Sequence, residues 1–248
     1  MKAMVLAAGL GTRLKPLTND RPKALVEICG QTLLEITLRR LRKFDVDEVI
    51  VNTHHFATQV ADYLKAHDNF GMRIEISHEE ELLDTGGGLK KAAWFFLEDV
   101  HDRNEPFLLH NVDVLSTIDL AAMIAFHREK KSLATLAVQD RATSRPLLFD
   151  DEGLLCGRRV GKAEPEMMRP VADPKALAFA GIHVLSPAIF QHLIDSGAFS
   201  IIPAYLQLAK DGEKIQAFRA DQWYWRDLGK PENIAQAEAD VQNGAVAL

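Results

Sequence analysis

The stretch Met4-Val-Leu-Ala-Ala-Gly-Leu-Gly-Thr-Arg-Leu-Lys-Pro-Leu-Thr18, closed by Pro22-Lys-Ala-Leu25, holds the densest chemistry in the chain. An apolar run over 3–8 meets Gly9-Leu-Gly11, and cations follow at Arg13, Lys15, Arg21 and Lys23. Glycine lets backbone N–H groups approach an anion closely. Arginine then offers a planar fork, and lysine a point charge, to phosphate oxygens. Such a loop at the exit of a first strand reads as a polyphosphate cradle. It is neither of two familiar phosphate loops. Leu14 stands where the dinucleotide fingerprint needs its third glycine, and Gly-Lys-Ser/Thr is absent. A plain turn with a solvated basic rim is the competing reading. Four cations within eleven residues, in a chain of net charge -6, weigh against it.

A triphosphate needs a divalent cation, and magnesium prefers one or two carboxylates. Asp113, just past an apolar strand, and Asp227, in Trp223-Tyr-Trp-Arg-Asp-Leu-Gly-Lys-Pro231, stand where such ligands are useful. Each alone reads as a turn or cap residue; with the cradle they form a set. The 248 residues suit one α/β domain, with 47% hydrophobic and 26% charged residues. The acidic balance argues against a nucleic-acid binder. Cys29 and Cys156 lack metal-ligand spacing and read as reduced, buried thiols of a cytoplasmic protein. The start meets glycine too early for a signal peptide, and no run of ~18 apolar residues suggests a membrane span.

The elements that must position these residues alternate. Strands are predicted over 47–52, 72–77 and 106–111. A helix is expected after Thr32 (its cap, with Glu35 completing a capping box), with Leu34, Leu38 and Leu41 at helical spacing and Arg39, Arg40, Arg42 and Lys43 on the wet side, and further helices over about 58–67 and 89–99. Val26-Glu-Ile-Cys-Gly30 reads as a short connection, and Asp84-Thr-Gly-Gly-Gly88 as a glycine-rich turn before a helix. This rhythm implies an α/β, doubly wound, mostly parallel mixed sheet with ligands at the carboxyl ends of its strands. The second half is more mixed. It has helices over 120–130, from Ser186-Pro187, over 201–210 and over 231–242, and strands over 133–138, 176–184, 214–219 and 224–228. A hairpin is expected around Asp150-Asp-Glu-Gly153, and 157–174 is read as a loop reaching over the site. One domain results, with a nucleotide half over about 1–115 and a second-substrate half over about 116–248.

The chain resembles the sugar-1-phosphate nucleotidyltransferases. The resemblance is carried by Leu6-Ala-Ala-Gly-Leu-Gly-Thr-Arg13, Pro16-Leu-Thr18, Pro22-Lys-Ala-Leu25, Asn111-Val-Asp113, Phe179-Ala-Gly-Ile182 and Trp225-Arg-Asp-Leu-Gly-Lys-Pro231. It is most similar to the short bacterial branch of N-acetylmuramate-1-phosphate uridylyltransferase and mannose-1-phosphate guanylyltransferase-like proteins. The resemblance implies a Rossmann-like fold and Mg2+-dependent transfer of a nucleoside monophosphate, from UTP or GTP, to a sugar-1-phosphate. That activity belongs to cytoplasmic synthesis of cell-wall or surface polysaccharide precursors. Leu6, Ala7, Ala8 and Gly9, with Glu79, Gly86 and Gly87, would hold base and ribose. Gly11, Thr12 and Arg13 would hold the triphosphate, and Arg13 and Lys23 would be catalytic. Lys23, Asn111, Ala180 and Gly181 would face the sugar phosphate, and Asp113 and Asp227 would hold the metal. Three departures concern the sugar: Val112 replaces a glycine, Lys230 replaces a threonine, and the Glu-Lys-Pro stretch has only Gly161-Lys-Ala-Glu-Pro165 as counterpart, which makes Lys162 and Glu164 sugar candidates.

Other readings compete. Asp84-Thr-Gly86 copies the aspartic-protease triplet, but that chemistry needs two aspartates sharing a proton. His54-His55 reads as a hydrogen-bonding pair rather than a metal site. A cytidylyltransferase acting on a non-sugar phosphate such as phosphocholine would share the cradle. A non-catalytic nucleotide-sugar-binding regulatory module would be expected to have lost Arg13, Lys23, Asp113 or Asp227. No nucleic-acid or membrane partner is expected, and a homo-oligomer is left open.

Overall fold

The computed structural model describes residues 1–98 and 105–248. Among them, a ten-stranded mixed sheet runs through the molecule. Lys2–Leu6 pairs in parallel with Glu48–Thr53 on one side and Phe107–Asn111 on the other, and Glu48–Thr53 pairs in parallel with Arg73–His78. Antiparallel pairing enters with Lys175–Leu185, which lies against Phe107–Asn111, Ala134–Gln139 and Leu147–Phe149. Ile215–Arg219 joins Ala134–Gln139 in parallel.

The central strands are apolar on both faces because both are covered. Ala3, Val5, Val49 and Val51 pack into one core; Met4, Ile50, Phe107 and Leu109 pack into the other. The helix Leu33–Arg42 buries Leu34, Leu38 and Leu41 and keeps Arg39 and Arg42 toward solvent, while Arg40 turns inward and donates to the Ile118 carbonyl. Its cap is half of the expected box. Thr32 accepts from the Glu35 N–H, but the Glu35 carboxylate turns to Tyr63 Oη (2.8 Å) and Arg39. Later helices at Leu120–Lys130, Ile201–Lys210 and Pro231–Gln242 match the predicted spans. Among the described residues, no helix is long and apolar enough to cross a membrane.

Several elements differ from expectation. The three glycines of 84–88 lie inside a helix, Asp84–Lys91, rather than before one, and a second short helix follows at Ala93–Leu97. The expected end of this helix, Asp99, lies outside the described residues. The glycines are tolerated there because contact overrides propensity. A Cβ on Gly86 would run into the Phe199 ring, and one on Gly87 into the Gly197 carbonyl. The connection at 26–30 is a small hairpin, Glu27–Ile28 with Gln31–Thr32. The segment expected as a loop over 157–174 is irregular over 159–165 and 168–174, but Leu155–Arg158 pairs with Glu166–Met167 within it and adds a short edge to the sheet. The helix after Ser186-Pro187 is a single turn, Ile189–His192.

Three histidines are buried in this core. His110 and His183 stand on paired strands, and His127 bonds Thr135 Oγ1 at 2.9 Å. Burial is the main cause that pushes His110 and His127 down to about 4 and His183 to about 3; the Arg40 charge adds to the shift of His110. An unfolded histidine titrates near ~6.5. Below that pH the unfolded chain takes up protons that the folded chain refuses. Stability is therefore full above ~6.5 and falls as the pH drops toward 4, by ~2 kcal/mol per histidine at pH 5. Urea midpoints at pH 7.5 and pH 5.0 check this; equal midpoints would contradict it.

Candidate active site

Four strand ends and one returning segment build the site. Lys2–Leu6 ends in the loop of the cradle. Gly11 sits at φ +63 in the left-handed region, where its carbonyl accepts from Thr18 Oγ1 (2.9 Å) and Leu14 N (2.8 Å). A Cβ there would stand 2.9 Å from Thr18 Cγ2 and 3.2 Å from Lys23 Cβ, so glycine lets the loop close on Lys23. Thr12 and Arg13 form an exposed 3-10 turn. Pro22 leads into a second such turn, Lys23–Leu25, which aims the lysine inward.

There the Lys23 ammonium pairs with Asp113 Oδ2, both side chains being largely buried. Asp113 follows strand Phe107–Asn111. The strand Val114–Ser116 comes next and pairs with Trp225–Asp227, setting Asp227 opposite Val114. Leu228 N donates to the Asp113 carbonyl at 2.8 Å. The two aspartates thus lie side by side at hydrogen-bonded strand ends. A Cβ on Gly229 would stand 2.7 Å from both Arg13 Nη2 and Asp227 Oδ1, so Arg13 and Asp227 meet over that glycine. Cations from the beginning of the chain and carboxylates from its middle and end converge in one crevice.

Two cavities open from this crevice. A cleft of about 610 Å3 is lined by Leu6, Ala8, Gly9, Lys23, Asn52, Glu79 and Asn111–Asp113, with Leu82, Asp84, Thr85 and Ala198 opposite. A second cavity of about 420 Å3 includes Asn111, Asp113, Asp227, Ala180, Gly181, Phe179 and Trp225. Gly181 (φ +77) sits within an irregular stretch of its strand; a Cβ there would meet Asn111 Nδ2 and Val114 Cγ2 at 2.9 Å. Asn111, Ala180 and Gly181 therefore share one wall. Trp225 is fixed by its Nε1–H donating to the Ala180 carbonyl (2.7 Å) and by the Arg141 guanidinium stacked 3.6 Å over its ring. Burial lowers the Arg141 pKa, against the pull of Asp227.

Some expected contacts are placed otherwise. The Glu79 carboxylate is fully buried and already committed: Oε1 accepts from Asn52 Nδ2 (2.7 Å) and Oε2 from Leu83 N (2.9 Å). It lines the cleft as a brace between Asn52 and Leu83. Asn52 Oδ1 in turn accepts from Ala7 N at 2.7 Å, so the Ala7 N–H is also taken. The N–H groups of Gly86 and Gly87 donate to the Phe199 carbonyl (2.9 and 3.2 Å), and Asp84 and Thr85 face the cleft in their place. Lys162 and Glu164 are exposed at the hairpin tip and line neither cavity. Lys230 lies near Glu232 (3.6 Å), also outside both. Val112 is buried, its N–H donating to Leu6 O at 3.2 Å. His54 bonds the Glu79 carbonyl through Nδ1 (2.9 Å).

Sequence reasoning missed Asn52, Gly229 and four arginines of the second cavity, Arg141, Arg145, Arg158 and Arg159. Asn52 had a signal, a polar residue closing an apolar strand. Arg158 and Arg159 had one too, as adjacent cations in a chain that is acidic overall.

Comparison with known proteins accords with this geometry. The nucleotidyl transferase family profile matches residues 2–244. The N-acetylmuramate alpha-1-phosphate uridylyltransferase of Caulobacter vibrioides is 35% identical over 246 residues, covering 96% of this chain and 95% of the relative. The UTP–glucose-1-phosphate uridylyltransferase of Synechocystis is 29% identical over 96% of this chain, which spans 62% of that enzyme's length. A solved putative glucose-1-phosphate thymidylyltransferase from Bacillus anthracis superposes with a TM-score of 0.82 at 16% identity, covering 100% of this chain and 97% of that one, and so shares the fold. The chain belongs to the nucleotidyl transferase family.

Proposed function

We propose that this nucleotidyltransferase moves a uridylyl group from UTP to a sugar-1-phosphate, giving a nucleotide-activated sugar and pyrophosphate, with Mg2+ as its cation. One observation carries the reading: the two cavities share Asn111 and Asp113, so groups held in each meet beside Lys23. The choice of UTP follows the relative that aligns over nearly the whole of both chains.

An oxygen of the sugar phosphate attacks the α-phosphorus, and the bond from that phosphorus to the bridging oxygen breaks as pyrophosphate leaves. The attacking group is already an anion, so no general base is required. Lys23 holds the α-phosphate and the incoming phosphate together, and Arg13 takes charge on the leaving side. The work is positioning and electrostatic.

The residues fit a hard cation. Among the described residues, Asp113 Oδ1 and Asp227 Oδ2 have no protein partner, while each sister oxygen has one. No cluster of three metal-ligating side chains occurs there. Two carboxylates with water and phosphate oxygens suit magnesium. When bound, the ion neutralises phosphate charge. The cytoplasm, where nucleoside triphosphates are made, is the expected compartment, and cell-wall or surface polysaccharide precursors are the expected use.

Pyrophosphate release with each nucleoside triphosphate and a set of sugar-1-phosphates tests the reading. Release is expected with UTP, falling to background with a chelator and returning with added Mg2+. Binding without release would point to a non-catalytic module. Release with CTP and phosphocholine would replace the sugar acceptor.

A further inference from the structure

Lys23 lines the nucleotide cleft, and its ammonium is taken up by Asp113. Arg13 meets Asp227 from the cradle side, over Gly229. A phosphate monoester carries about -1.5 to -2 charges at pH 7, so an acceptor entering the second cavity needs a cation there. Four arginines line that cavity. Arg145 and Arg159 are exposed, and Arg158 is paired with Glu166 at 2.6 Å. Arg141 differs from all three. It is half-buried, and its one hydrogen bond among the described residues is from Nη2 to the Phe179 carbonyl (2.8 Å).

Its place is fixed. The guanidinium stacks 3.6 Å over the Trp225 ring, and Trp225 is itself tethered by Nε1–H to the Ala180 carbonyl (2.7 Å). Trp225 and Asp227 stand two residues apart on one strand. They therefore share a face, ~7 Å apart along it. The stacked cation lies on the side of the candidate metal ligand, and the Asp227 charge acts on it without forming an ion pair. Among the described residues Nη1 has no acceptor, and neither has the buried Nε.

A partly desolvated charge is costly unless it is paired. The carbonyl supplies a dipole and the ring a quadrupole; neither brings the missing negative charge. A sugar hydroxyl would leave the cation unbalanced, whereas a phosphate matches both its charge and its planar fork. The triphosphate is the wrong phosphate by place, since Arg141 does not line the nucleotide cleft.

We propose that Arg141 is a further catalytic residue, which receives the 1-phosphate of the acceptor beside Asp227 and holds its non-attacking oxygens during transfer. The guanidinium keeps its protons throughout, so the bonds made and broken are those given above. The proposal rests on the sugar-1-phosphate reading of the same site.

The 1-phosphates of glucose, mannose and N-acetylmuramic acid serve as probes with UTP. Arg141→Gln removes the charge and keeps an amide donor; Arg141→Lys keeps the charge and loses the fork. In Arg141→Gln, kcat/KM for the acceptor is expected to fall ~100-fold, the scale of one lost transition-state donor. Calorimetry without nucleotide should show the acceptor Kd rising ~10-fold or more, as for a hydrogen bond to a charged group. The Kd for UTP with Mg2+ should stay within ~2-fold, because Arg141 lines only the other cavity. Arg141→Lys should regain ~10-fold of the lost kcat/KM through its charge. An unchanged Tm shows that the variants fold; should Arg141→Gln unfold, the same acceptor and UTP measurements on Arg141→Lys decide. A residue that only holds Trp225 in place would give equal losses in both variants, and that result overturns the proposal. So does an unchanged acceptor Kd, or a loss shared with UTP. Acceptor binding that needs Arg141 but gives no pyrophosphate would sink the enzyme reading and keep this one. Turnover indifferent to Arg141 does the reverse. If no acceptor binds or reacts, both fall.

Discussion

Replacing Lys23 by alanine is expected to lower kcat at least ~100-fold, the scale of losing one preorganised charge contact to a transition state. The lysine is the only side chain bonded to Asp113 among the described residues, and it lines the cleft that shares Asp113 with the sugar-side cavity. Alanine removes the cation that the proposed reaction places on both phosphates and leaves the Asp113 carboxylate unbalanced. The loss should therefore appear in kcat as well as in the KM for the triphosphate. Lys23→Arg should recover little, because a planar fork does not occupy the place of a compact ammonium. Pre-steady-state measurement of pyrophosphate formation separates the chemical step from product release. A variant that turns over near normally would remove Lys23 from the reaction.

The second large effect concerns stability. Asn52→Ala is expected to cost about 3 kcal/mol, in the range for breaking up a buried charge and its partner. Asn52 joins two groups with no access to water: its Oδ1 satisfies the Ala7 N–H, and its Nδ2 satisfies a carboxylate oxygen of Glu79. The variant leaves both unpaired. Gly88 shows how tight the arrangement is, since a Cβ there would stand 2.7 Å from Glu79 Oε1 and 2.9 Å from Asn52 Nδ2. Guanidinium or urea unfolding measures the loss. Asn52→Ala with Glu79→Gln should recover part of it by discharging the carboxylate, whereas additive losses would contradict a shared network.

Most of the fold was legible because its patterns are local. Apolar runs bounded by glycine gave the parallel strands, and helical periodicity gave 120–130, 201–210 and 231–242. Convergence was legible from chemistry, since Arg13, Lys23, Asp113 and Asp227 make sense only together. What failed depended on neighbours far along the chain. Gly86 and Gly87 read as a turn before a helix because nothing nearby in sequence reveals that Phe199 and Gly197 press on their helix. The two donors to Glu79, Asn52 and Leu83, become visible only once strands and loop are assembled. Lys162 and Glu164 were singled out by likeness to a motif, while the arginines around them held the places that face the cavity.

The strand Lys175–Leu185 belongs to two neighbourhoods. Its last four residues are stitched to Phe107–Asn111 in the central sheet, and its first three to Leu147–Phe149, where the arginine-bearing hairpin begins. The irregular pairing between Phe179 and His183 separates the two. On the proposed reading, donor choice and acceptor choice lie on different pieces of backbone. On that reading, the hairpin could be redecorated for a new sugar while the cleft braced by Asn52 and Glu79 stays as it is. One scaffold can diversify its products without relearning how to hold its fuel.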